Sequence, residues 1–554
     1  MSTVTPHPAS ETTLLPRYED FVRDFRPEDI AAMLSGNFDS GINVCHEACD
    51  RHAASGRIAL RWEGVNGESA EFTYAQLQEQ AARFANFLHS QGIGPGDRVA
   101  CLLPRIPELI IVALGTWRVG GVYLPLFTAF GPKAIEYRLE RSGAKLVVTD
   151  AANRAKLDGI AQLPPVLMVA PSNADIPNGD IPFAASMAAQ PTTFEPVMRR
   201  GEDPFLLLFT SGTVGLAKGV AVPIKALMAF IVYVKYAMGV TAEDRYWNVA
   251  DPGWAYGLYY AVTTPLVLGY TTHFYQGGFT PESTYRMLEK YGITLLAAAP
   301  TAYRMLMAAG PEMPKRYNLQ LRAACSAGEP LNPEAIRWIA DTLGISVFDQ
   351  YGQTEIGMVV CNYNGLQADV IPGSMGLPMP GFDMLAVDNN LQPVGRGTPG
   401  QVAVRLATSP LYFFQGYWEH ETRAIRDGYY LTGDVAELDE KGYFFFTGRN
   451  DDIITSAGYR IGPFDVESAL IEHPSVAEAA VVGKPDPERG EIVKAFVVLR
   501  SSYEASDALA AELQQYVRQR LSAHAFPREI SFVEELPKTP SGKIQRFMLR
   551  QQSG

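Results

Sequence analysis

The sequence has no uninterrupted apolar run of the ~18–20 residues that a transmembrane helix needs. Its first residues, 1–8, have neither the basic start nor the apolar segment of a secretory signal. These two absences exclude an obvious membrane-inserted or exported protein. We therefore expect a cytoplasmic protein without membrane insertion.

Cysteine is scarce, with five residues in 554, and the odd number argues against a disulfide framework. Reduced thiols fit this pattern better. Cys45 and Cys49 enclose His46 and Glu47, which has the look of a metal cluster. Because no second cysteine pair accompanies them, we favour a structural role for this segment.

Positive charge is also in deficit, with 47 Lys and Arg against 60 Asp and Glu and a net charge of −13. Long-range repulsion then opposes binding to nucleic acid or to an anionic membrane surface. An anionic ligand must instead be met by a few cations placed close to it.

What the sequence does have is length and α/β texture. At the usual ~100–200 residues per domain, the chain holds two to four folding units. Apolar strand-like runs at 98–103 and 146–149 enclose a helical pattern at 135–142, and Thr73 is a plausible N-cap for the helix that follows it. This alternation predicts an α/β fold with parallel strands joined by helices.

The texture changes twice towards the end of the chain. Short strands with Pro and Gly turns predict a small β subdomain at about 377–437. Two turns in quick succession then place a boundary at Asp451. We expect a large N-terminal domain, 1–451, and a small α+β C-terminal domain, 452–554.

The stretch 210–219 carries the strongest functional signal. It follows the apolar run 205–209 and combines hydroxyls, glycines and Lys218, a composition suited to holding phosphate. It is not a Walker A loop, because Lys218 is followed by glycine and not by serine or threonine. A generic glycine-rich turn remains the alternative for this stretch alone.

Four more polar segments share this character. The segment 349–355 follows an apolar run, and ligands bind at strand ends in open α/β sheets. Asp434 can accept the hydroxyls of a ribose, and Arg449 can add a donor. Lys543 follows Ser-Gly in the tail, on a loop that can reach a site elsewhere. Taken singly, each fits an ordinary polar turn equally well.

Together, from about Asn43 to Arg550, the order and spacing of these segments resemble the adenylate-forming superfamily. Its members include acyl-CoA synthetases, adenylation domains of peptide synthetases and luciferases. The closest resemblance is to short- and medium-chain acyl-CoA synthetases and acetyl-CoA synthetase. It implies a mobile C-terminal domain and the use of ATP, Mg²⁺ and CoA in two steps, acyl-adenylate formation and thioester formation.

The resemblance assigns roles residue by residue. Lys543, Glu355 and Thr354 would be catalytic, and Glu355 would hold the Mg²⁺. Residues assigned to ATP are Thr210, Ser211, Gly212, Thr213, Gly215, Lys218, Gly328, Glu329, Pro330, Asp349, Gln350, Tyr351, Gly352, Gln353, Asp434, Arg449 and Arg460. The loop departs from the usual pattern at Val214 and Ala217, so we expect weaker ATP binding without loss of chemistry.

The second step involves other segments. By resemblance, Ala457, Gly458, Tyr459 and Arg518 would bind CoA, and Asp451 would be the hinge about which the small domain rotates. Gly458 would let the thin pantetheine arm pass against bare backbone.

The acid pocket would be formed by Trp254, Ala255, Tyr256, Gly257 and Ala327. Acetate-specific members carry a tryptophan where this chain has Gly352, and loss of an indole opens ~150–250 Å² of contact surface. We therefore expect a short- to medium-chain, branched or aromatic monocarboxylic acid larger than acetate. Trp254 serves equally well as a core residue.

Two other functions remain possible at this stage: a stand-alone enzyme that loads a carrier protein, and a non-catalytic nucleotide-binding homologue. Retention of Lys543 and Glu355 argues against the second. A second copy of the chain is one expected partner. A lysine acetyltransferase and deacetylase acting on Lys543 are others, since acetylation would remove the charge used in the first step.

Overall fold

The structure is a computed structural model of the chain. It describes residues 15–171, 176–210, 217–456, 459–487, 489–521, 524–539 and 543–553, and the side chain of Arg460 is outside the description. Five sheets and the helices around them make up the fold.

The strands are β1 (Ile58–Glu63), β2 (Ser69–Thr73), β3 (Arg98–Leu102), β4 (Val122–Pro125), β5 (Leu146–Asp150), β6 (Val166–Val169), β7 (Ile181–Pro182), β8 (Pro204–Phe209), β9 (Gly219–Pro223), β10 (Tyr246–Asn248), β11 (Thr272–Tyr275), β12 (Leu295–Ala298), β13 (Ala323–Ala327), β14 (Ser346–Gln353), β15 (Gly357–Cys361), β16 (Leu377–Pro378), β17 (Met384–Val387), β18 (Gly400–Arg405), β19 (Ile425–Arg426), β20 (Tyr429–Leu438), β21 (Phe444–Arg449), β22 (Ile454–Ser456), β23 (Tyr459–Ile461), β24 (Val476–Asp486), β25 (Gly490–Leu499) and β26 (Glu529–Phe532).

The α-helices are α1 (Tyr18–Asp24), α2 (Pro27–Ala31), α3 (Val44–Ala48), α4 (Tyr74–Ser90), α5 (Pro107–Arg118), α6 (Pro132–Ser142), α7 (Ala151–Arg154), α8 (Phe183–Ala188), α9 (Leu227–Val232), α10 (Ala255–Gly257), α11 (Thr264–Val267), α12 (Pro281–Lys290), α13 (Pro300–Ala308), α14 (Pro333–Leu343), α15 (Pro463–Ile471), α16 (Asp507–Arg520) and α17 (Arg546–Gln551). Among the described residues, no helix is both long and apolar enough to cross a membrane.

A seven-stranded sheet in the order β7-β6-β5-β3-β4-β8-β9 forms the first α/β layer. Its strands are parallel except for the β8–β9 pair. Helix α4 begins at the predicted cap, where Thr73 and Gln76 form a capping box. Its apolar face, with Leu77, Phe84 and Leu88, is buried in the core. The expected α/β alternation is confirmed here.

A six-stranded sheet in the order β10-β12-β13-β14-β15-β16 forms the second layer. It is parallel from β10 to β14 and then turns back antiparallel through β15 and β16. Strand β14 is longer than the sequence indicates, since it continues from the apolar residues to Gln353. The polar segment expected after the strand therefore lies mostly within it. A third, three-stranded sheet in the order β11-β1-β2 was not predicted.

Four strands of a five-stranded sheet, in the order β17-β18-β20-β19, lie in about the region expected to be a small β subdomain. The fifth strand, β21, pairs with β20 and extends the sheet beyond that region. A separate five-stranded sheet follows in the C-terminal part, β23-β22-β25-β24 with β26 paired to β25. Helices α15 and α16 cover it with a core of its own that includes Val466, Val493 and Leu513. The large N-terminal part and the small C-terminal α+β part match the expected fold class.

Candidate active site

The carboxylate of Asp434 is the centre of a hydrogen-bonded cluster between two sheets. Its Oδ2 accepts hydrogen bonds from Tyr351 Oη at 2.6 Å and from Gln353 Nε2 at 2.7 Å. Arg449, its register partner on β21, places Nη1 3.3 Å from Oδ1. The structure thus brings four residues assigned to ATP into direct contact, although they lie on three strands.

Burial and charge act against each other in this cluster. Asp434 is 5% exposed, and burial raises its pKa, while Arg449 and the hydrogen bonds from Tyr351 and Gln353 lower it. Burial lowers the pKa of the Arg449 guanidinium, but Asp434 acting together with Asp451, Tyr351 and Asp452 raises it overall. The pair is therefore held as an ion pair, with the hydroxyl of Tyr351 used as a donor to the carboxylate.

The ends of the glycine-rich loop lie on a β-hairpin. Strands β8 and β9 are antiparallel, and Thr210 N donates to the Lys218 carbonyl at 2.9 Å. Tyr137 Oη closes the same end by donating to the Ala217 carbonyl at 2.9 Å. The loop therefore leads into a strand, and any phosphate it binds is met by loop groups and Lys218 without a following helix N-terminus. Four predicted loop residues lie outside the described residues: Ser211, Gly212, Thr213 and Gly215.

Lys218 and Glu355 are connected through Tyr417. The Lys218 Nζ lies 4.8 Å from the centre of the Tyr417 ring, and Tyr417 Oη donates to Glu355 Oε1 at 2.9 Å. Glu355 is 8% exposed, and burial raises its pKa. One aromatic residue therefore contacts both the loop lysine and the predicted Mg²⁺ ligand.

The segment 328–330 directly follows β13. Gly328 has a φ of +106°, a conformation that glycine adopts without strain. Glu329 forms an ion pair with Arg304 at 3.0 Å, and Pro330 follows it in the same bend. The Thr354 carbonyl accepts a hydrogen bond from Tyr259 Oη at 2.9 Å.

Asp349 lies buried on β14, where its Oδ2 is 3.4 Å from the Leu331 backbone N–H. Its Oδ1 has no hydrogen-bond partner among the described residues. Burial raises the pKa of Asp349 to about 8. This residue is therefore a neutral carboxylic acid at neutral pH, and it can donate as well as accept.

Two residues assigned to the acid pocket, Ala327 and Tyr256, are connected through Gln350 and Tyr233. Ala327 is the register partner of Gln350, whose Oε1 lies 2.5 Å from Tyr233 Oη. Tyr233 Oη is in turn 3.1 Å from Tyr256 Oη. Ala255 and Tyr256 form the short helix α10, which precedes a π-helical segment at Leu258–Thr263, and such segments are frequent at functional sites.

Trp254 packs against Phe127 and Phe130, with ring centroids 5.4 Å apart in each case. Its indole N–H is buried without a hydrogen-bond partner among the described residues. Gly257 is needed for a close backbone approach, because an added Cβ would lie 2.2 Å from the Asp251 carbonyl oxygen. Both residues therefore contribute packing next to the pocket.

Gly352 does not leave the space that the sequence argument assumed. A Cβ built there would lie 2.1 Å from the Gly357 carbonyl oxygen and 2.6 Å from Met358 Cα. The main chain of β15 already occupies the direction in which a side chain would leave. The absence of an indole at this position therefore does not by itself enlarge the pocket.

Lys543 is exposed and is the first residue of the last described range, 543–553. Its backbone pairs with Thr539, whose N–H donates to the Lys543 carbonyl at 2.8 Å and whose Oγ1 accepts from Lys543 N at 3.1 Å. Its cation is near enough to Asp434 to lower the pKa of that carboxyl. Lys543 is thus within electrostatic range of the Asp434 cluster.

The CoA-binding assignment is described only in part. Ala457, Gly458 and the Arg460 side chain lie outside the described residues. The Tyr459 ring is 51% exposed and stacks on His524, with centroids 4.1 Å apart. Arg518 is exposed on α16, with its guanidinium 5.6 Å from the Phe526 ring centre.

A family model described as AMP-binding enzyme matches residues 45–418, and a model described as AMP-binding enzyme C-terminal domain matches 465–543. The first match alone spans more than half of the chain. The chain belongs to the AMP-binding enzyme family. The resemblance to the adenylate-forming superfamily is confirmed.

Relatives place this AMP-binding enzyme among the acyl-CoA synthetases. It is 39% identical to acetyl-coenzyme A synthetase of Bacillus subtilis over 97% of this chain and 95% of the relative. A crystal structure of Brucella canis acyl-CoA synthetase has 53% identity and a TM-score of 0.80, covering 97% of this chain and 99% of that one. An anthranilate CoA ligase in complex with anthranoyl-AMP has 26% identity and a TM-score of 0.85, covering 96% and 99%. The expectation of an AMP-forming acid–thiol ligase is confirmed at this level.

Two contacts in the AMP-binding fold were missed by the sequence reasoning. Tyr417 lies outside every motif, and its place is set by strand pairing, since Trp418 N donates to the Gly219 carbonyl at 2.7 Å. Arg546, three residues after Lys543, forms a part-buried ion pair with Glu467 at 2.8 Å. No local pattern signals either contact.

The predicted hinge lies in a turn held by the C-terminal helix. Arg550 Nη1 donates to Asp452 Oδ1 at 2.6 Å and lies 3.4 Å from the Asp451 carbonyl oxygen. The backbone enters this turn directly from β21, where Arg449 pairs with Asp434.

Proposed function

We propose that this enzyme activates a monocarboxylic acid with ATP and transfers the acyl group to CoA. In the first step a carboxylate oxygen bonds to the α-phosphorus of ATP, the bond to the β-phosphate oxygen breaks, and pyrophosphate leaves. In the second step the CoA sulfur bonds to the acyl carbon, AMP leaves, and the thiol proton passes to solvent.

The first step brings two anions together, so cations must converge where the bonds exchange. The observation that carries the proposal is the buried cluster in which Asp434 contacts Tyr351, Gln353 and Arg449, all residues that the resemblance assigns to the nucleotide. We assign Lys543 to the carboxylate and the α-phosphate, and Lys218 with its loop to the β- and γ-phosphates. Asp434 and Arg449 are assigned to the ribose, with Thr354 and the segments 328–330 and 349–353 along the nucleotide.

Glu355 fits an Mg²⁺ site. It is a buried carboxylate whose Oε1 is fixed by Tyr417, and a hard cation would offset the burial that raises its pKa. When bound, Mg²⁺ would neutralise part of the phosphate charge. The chain's own contribution is to hold this carboxylate in one orientation beside Lys218.

We propose further that 1–451 and 452–554 act as two domains about Asp451, and that rotation withdraws Lys543 before the thiol attacks. Tyr459 and Arg518, with Ala457, Gly458 and Arg460, would then meet CoA. The exposed position of Lys543 also leaves it open to a lysine acetyltransferase, which would stop the first step by removing its charge.

The acid is proposed to be larger than acetate. Support comes from the small side chains of Ala255 and Ala327 and from likeness to a ligase whose structure contains anthranoyl-AMP. The Gly352 argument no longer contributes, since the β15 main chain fills that direction.

Pyrophosphate release tests the function across a panel of straight, branched and aromatic acids, with and without CoA. We expect acid-dependent release and CoA-dependent thioester with at least one acid larger than acetate. Release without thioester would favour loading of a carrier protein. No release with any acid would leave only a non-catalytic nucleotide binder.

A further inference from the structure

The hydrogen bonds of Gln350 have a fixed direction. Its Nε2 donates to the Asn362 carbonyl at 3.2 Å, which leaves Oε1 as an acceptor. Tyr233 Oη lies 2.5 Å from that oxygen and must supply the proton between them. A phenol has one proton, so Tyr233 has none for a second partner.

This direction decides the proton of Tyr256. Its Oη is 3.1 Å from Tyr233 Oη, and Tyr233 can only accept there. Tyr256 therefore donates its only hydroxyl proton to Tyr233. Its oxygen can take part in further hydrogen bonds only as an acceptor. Among the described residues no donor is recorded on the Tyr256 hydroxyl, so its acceptor capacity is open.

Tyr256 is also the least buried tyrosine of this group. Tyr233 and Tyr260 are at most 1% exposed, whereas Tyr256 keeps part of its surface open. Its ring packs edge-on against Tyr260 with centroids 5.4 Å apart, so its direction is fixed by packing as well as by hydrogen bonding. Burial raises its pKa well above the usual range, which keeps the phenol neutral.

We propose that the Tyr256 hydroxyl accepts a hydrogen bond from the tail of the acid. The enzyme then prefers a monocarboxylic acid whose tail carries a neutral hydrogen-bond donor, a hydroxyl or an aryl amine. This proposal rests on the acyl-CoA synthetase function and on the assignment of Tyr256 to the acid pocket. A methyl group in the same place would leave a desolvated acceptor unpaired. Sites built to pair with a donor discriminate strongly against analogues that lack it.

Matched acids test the preference directly. Hydroxy-, amino- and methylbenzoates substituted at each ring position, and 3-hydroxybutanoate against 3-methylbutanoate, are compared by kcat/KM for pyrophosphate release with saturating ATP and CoA. We expect the best donor acid to exceed its methyl isostere by at least about tenfold. In Tyr256→Phe that ratio should fall to about one, while Tyr503→Phe, an exposed tyrosine, should leave it unchanged.

Tyr233→Phe tests the direction of the hydrogen bonds that run from Tyr256 through Tyr233 to Gln350. It removes the acceptor for the Tyr256 proton, so Tyr256 becomes able to donate, and methoxybenzoates should gain relative to methylbenzoates. A wild-type ratio near one, or a donor preference that survives Tyr256→Phe, would overturn the proposal while leaving acyl-CoA synthesis intact. Absence of acid-dependent pyrophosphate release altogether would refute the underlying function instead.

Discussion

Replacing Tyr417 with phenylalanine removes the hydroxyl that donates to Glu355 and keeps the ring that lies 4.8 Å from Lys218 Nζ. A hydrogen bond to a charged group contributes about 1.5–3 kcal/mol. Its loss leaves a buried carboxylate without a fixed orientation. If Glu355 holds the Mg²⁺, the Mg²⁺ concentration for half-maximal activity should rise by about 10–150-fold, since 1.4 kcal/mol is tenfold.

Replacing Tyr417 with leucine removes the ring as well. A cation–π contact at a part-exposed lysine contributes about 0.5–1 kcal/mol, so KM for ATP should rise a further two- to fivefold or so. Tyr417→Phe, which keeps the ring, should not show this additional rise in KM for ATP. The two variants therefore separate the Mg²⁺ ligand from the loop lysine.

The assay is initial-rate pyrophosphate release, titrated with Mg²⁺ at fixed ATP and with ATP at saturating Mg²⁺. Tyr412→Phe is the matched control, because the Tyr412 hydroxyl is buried near Glu355 without a hydrogen-bond partner among the described residues. An unchanged Mg²⁺ requirement in Tyr417→Phe would refute the orienting role. An equal rise in the Mg²⁺ requirement of Tyr417→Phe and Tyr412→Phe would point to a general loss of packing.

Three further predictions follow from single residues. Lys543→Ala should abolish pyrophosphate release yet leave thioester formation from supplied acyl-adenylate largely intact; equal loss of both would contradict the proposed withdrawal of Lys543 before the second step. The infrared spectrum of the wild type should contain a protonated carboxyl band from Asp349, which disappears as the pH rises through about 8. Asp349→Asn should lack this band. Because the folded pKa lies above the unfolded value, wild-type stability relative to Asp349→Asn should fall between about pH 4 and 8, by up to about 1.4 kcal/mol per pH unit, and a flat difference would rule out the buried acid. Gly352→Ala should lower the melting temperature, as a Cβ 2.1 Å from the Gly357 carbonyl demands a backbone shift; an unchanged melting temperature would show that the β15 main chain yields easily.

Local patterns predicted the elements that depend on neighbouring residues. The Thr73 cap, the apolar face of α4 and the buried strand at 204–209 each follow from signals within one segment. The pairing of Asp434 with Arg449 was anticipated as a shared role, and the structure explains it by the antiparallel register of β20 and β21.

Contacts between distant segments had no such signal. Tyr417 reaches Glu355 across 62 positions of sequence because the segment after β18 pairs with β9. The Gly352 volume argument failed for a similar reason, since it compared side chains and took no account of the β15 main chain that packs against them. Sequence spacing carries no information on either approach.

The geometry also connects nucleotide binding to the proposed hinge. The Asp434–Arg449 pair closes the ladder between β20 and β21, and Asn450 N still donates to the Gly433 carbonyl at 2.8 Å. Asp451, the next residue, is where the chain leaves this sheet. In the proposed assignment a ribose would share the Asp434 carboxylate with Arg449, and Arg449 is two positions from the proposed hinge. If both assignments hold, release of AMP is expected to be coupled to relaxation of the hinge through this ion pair.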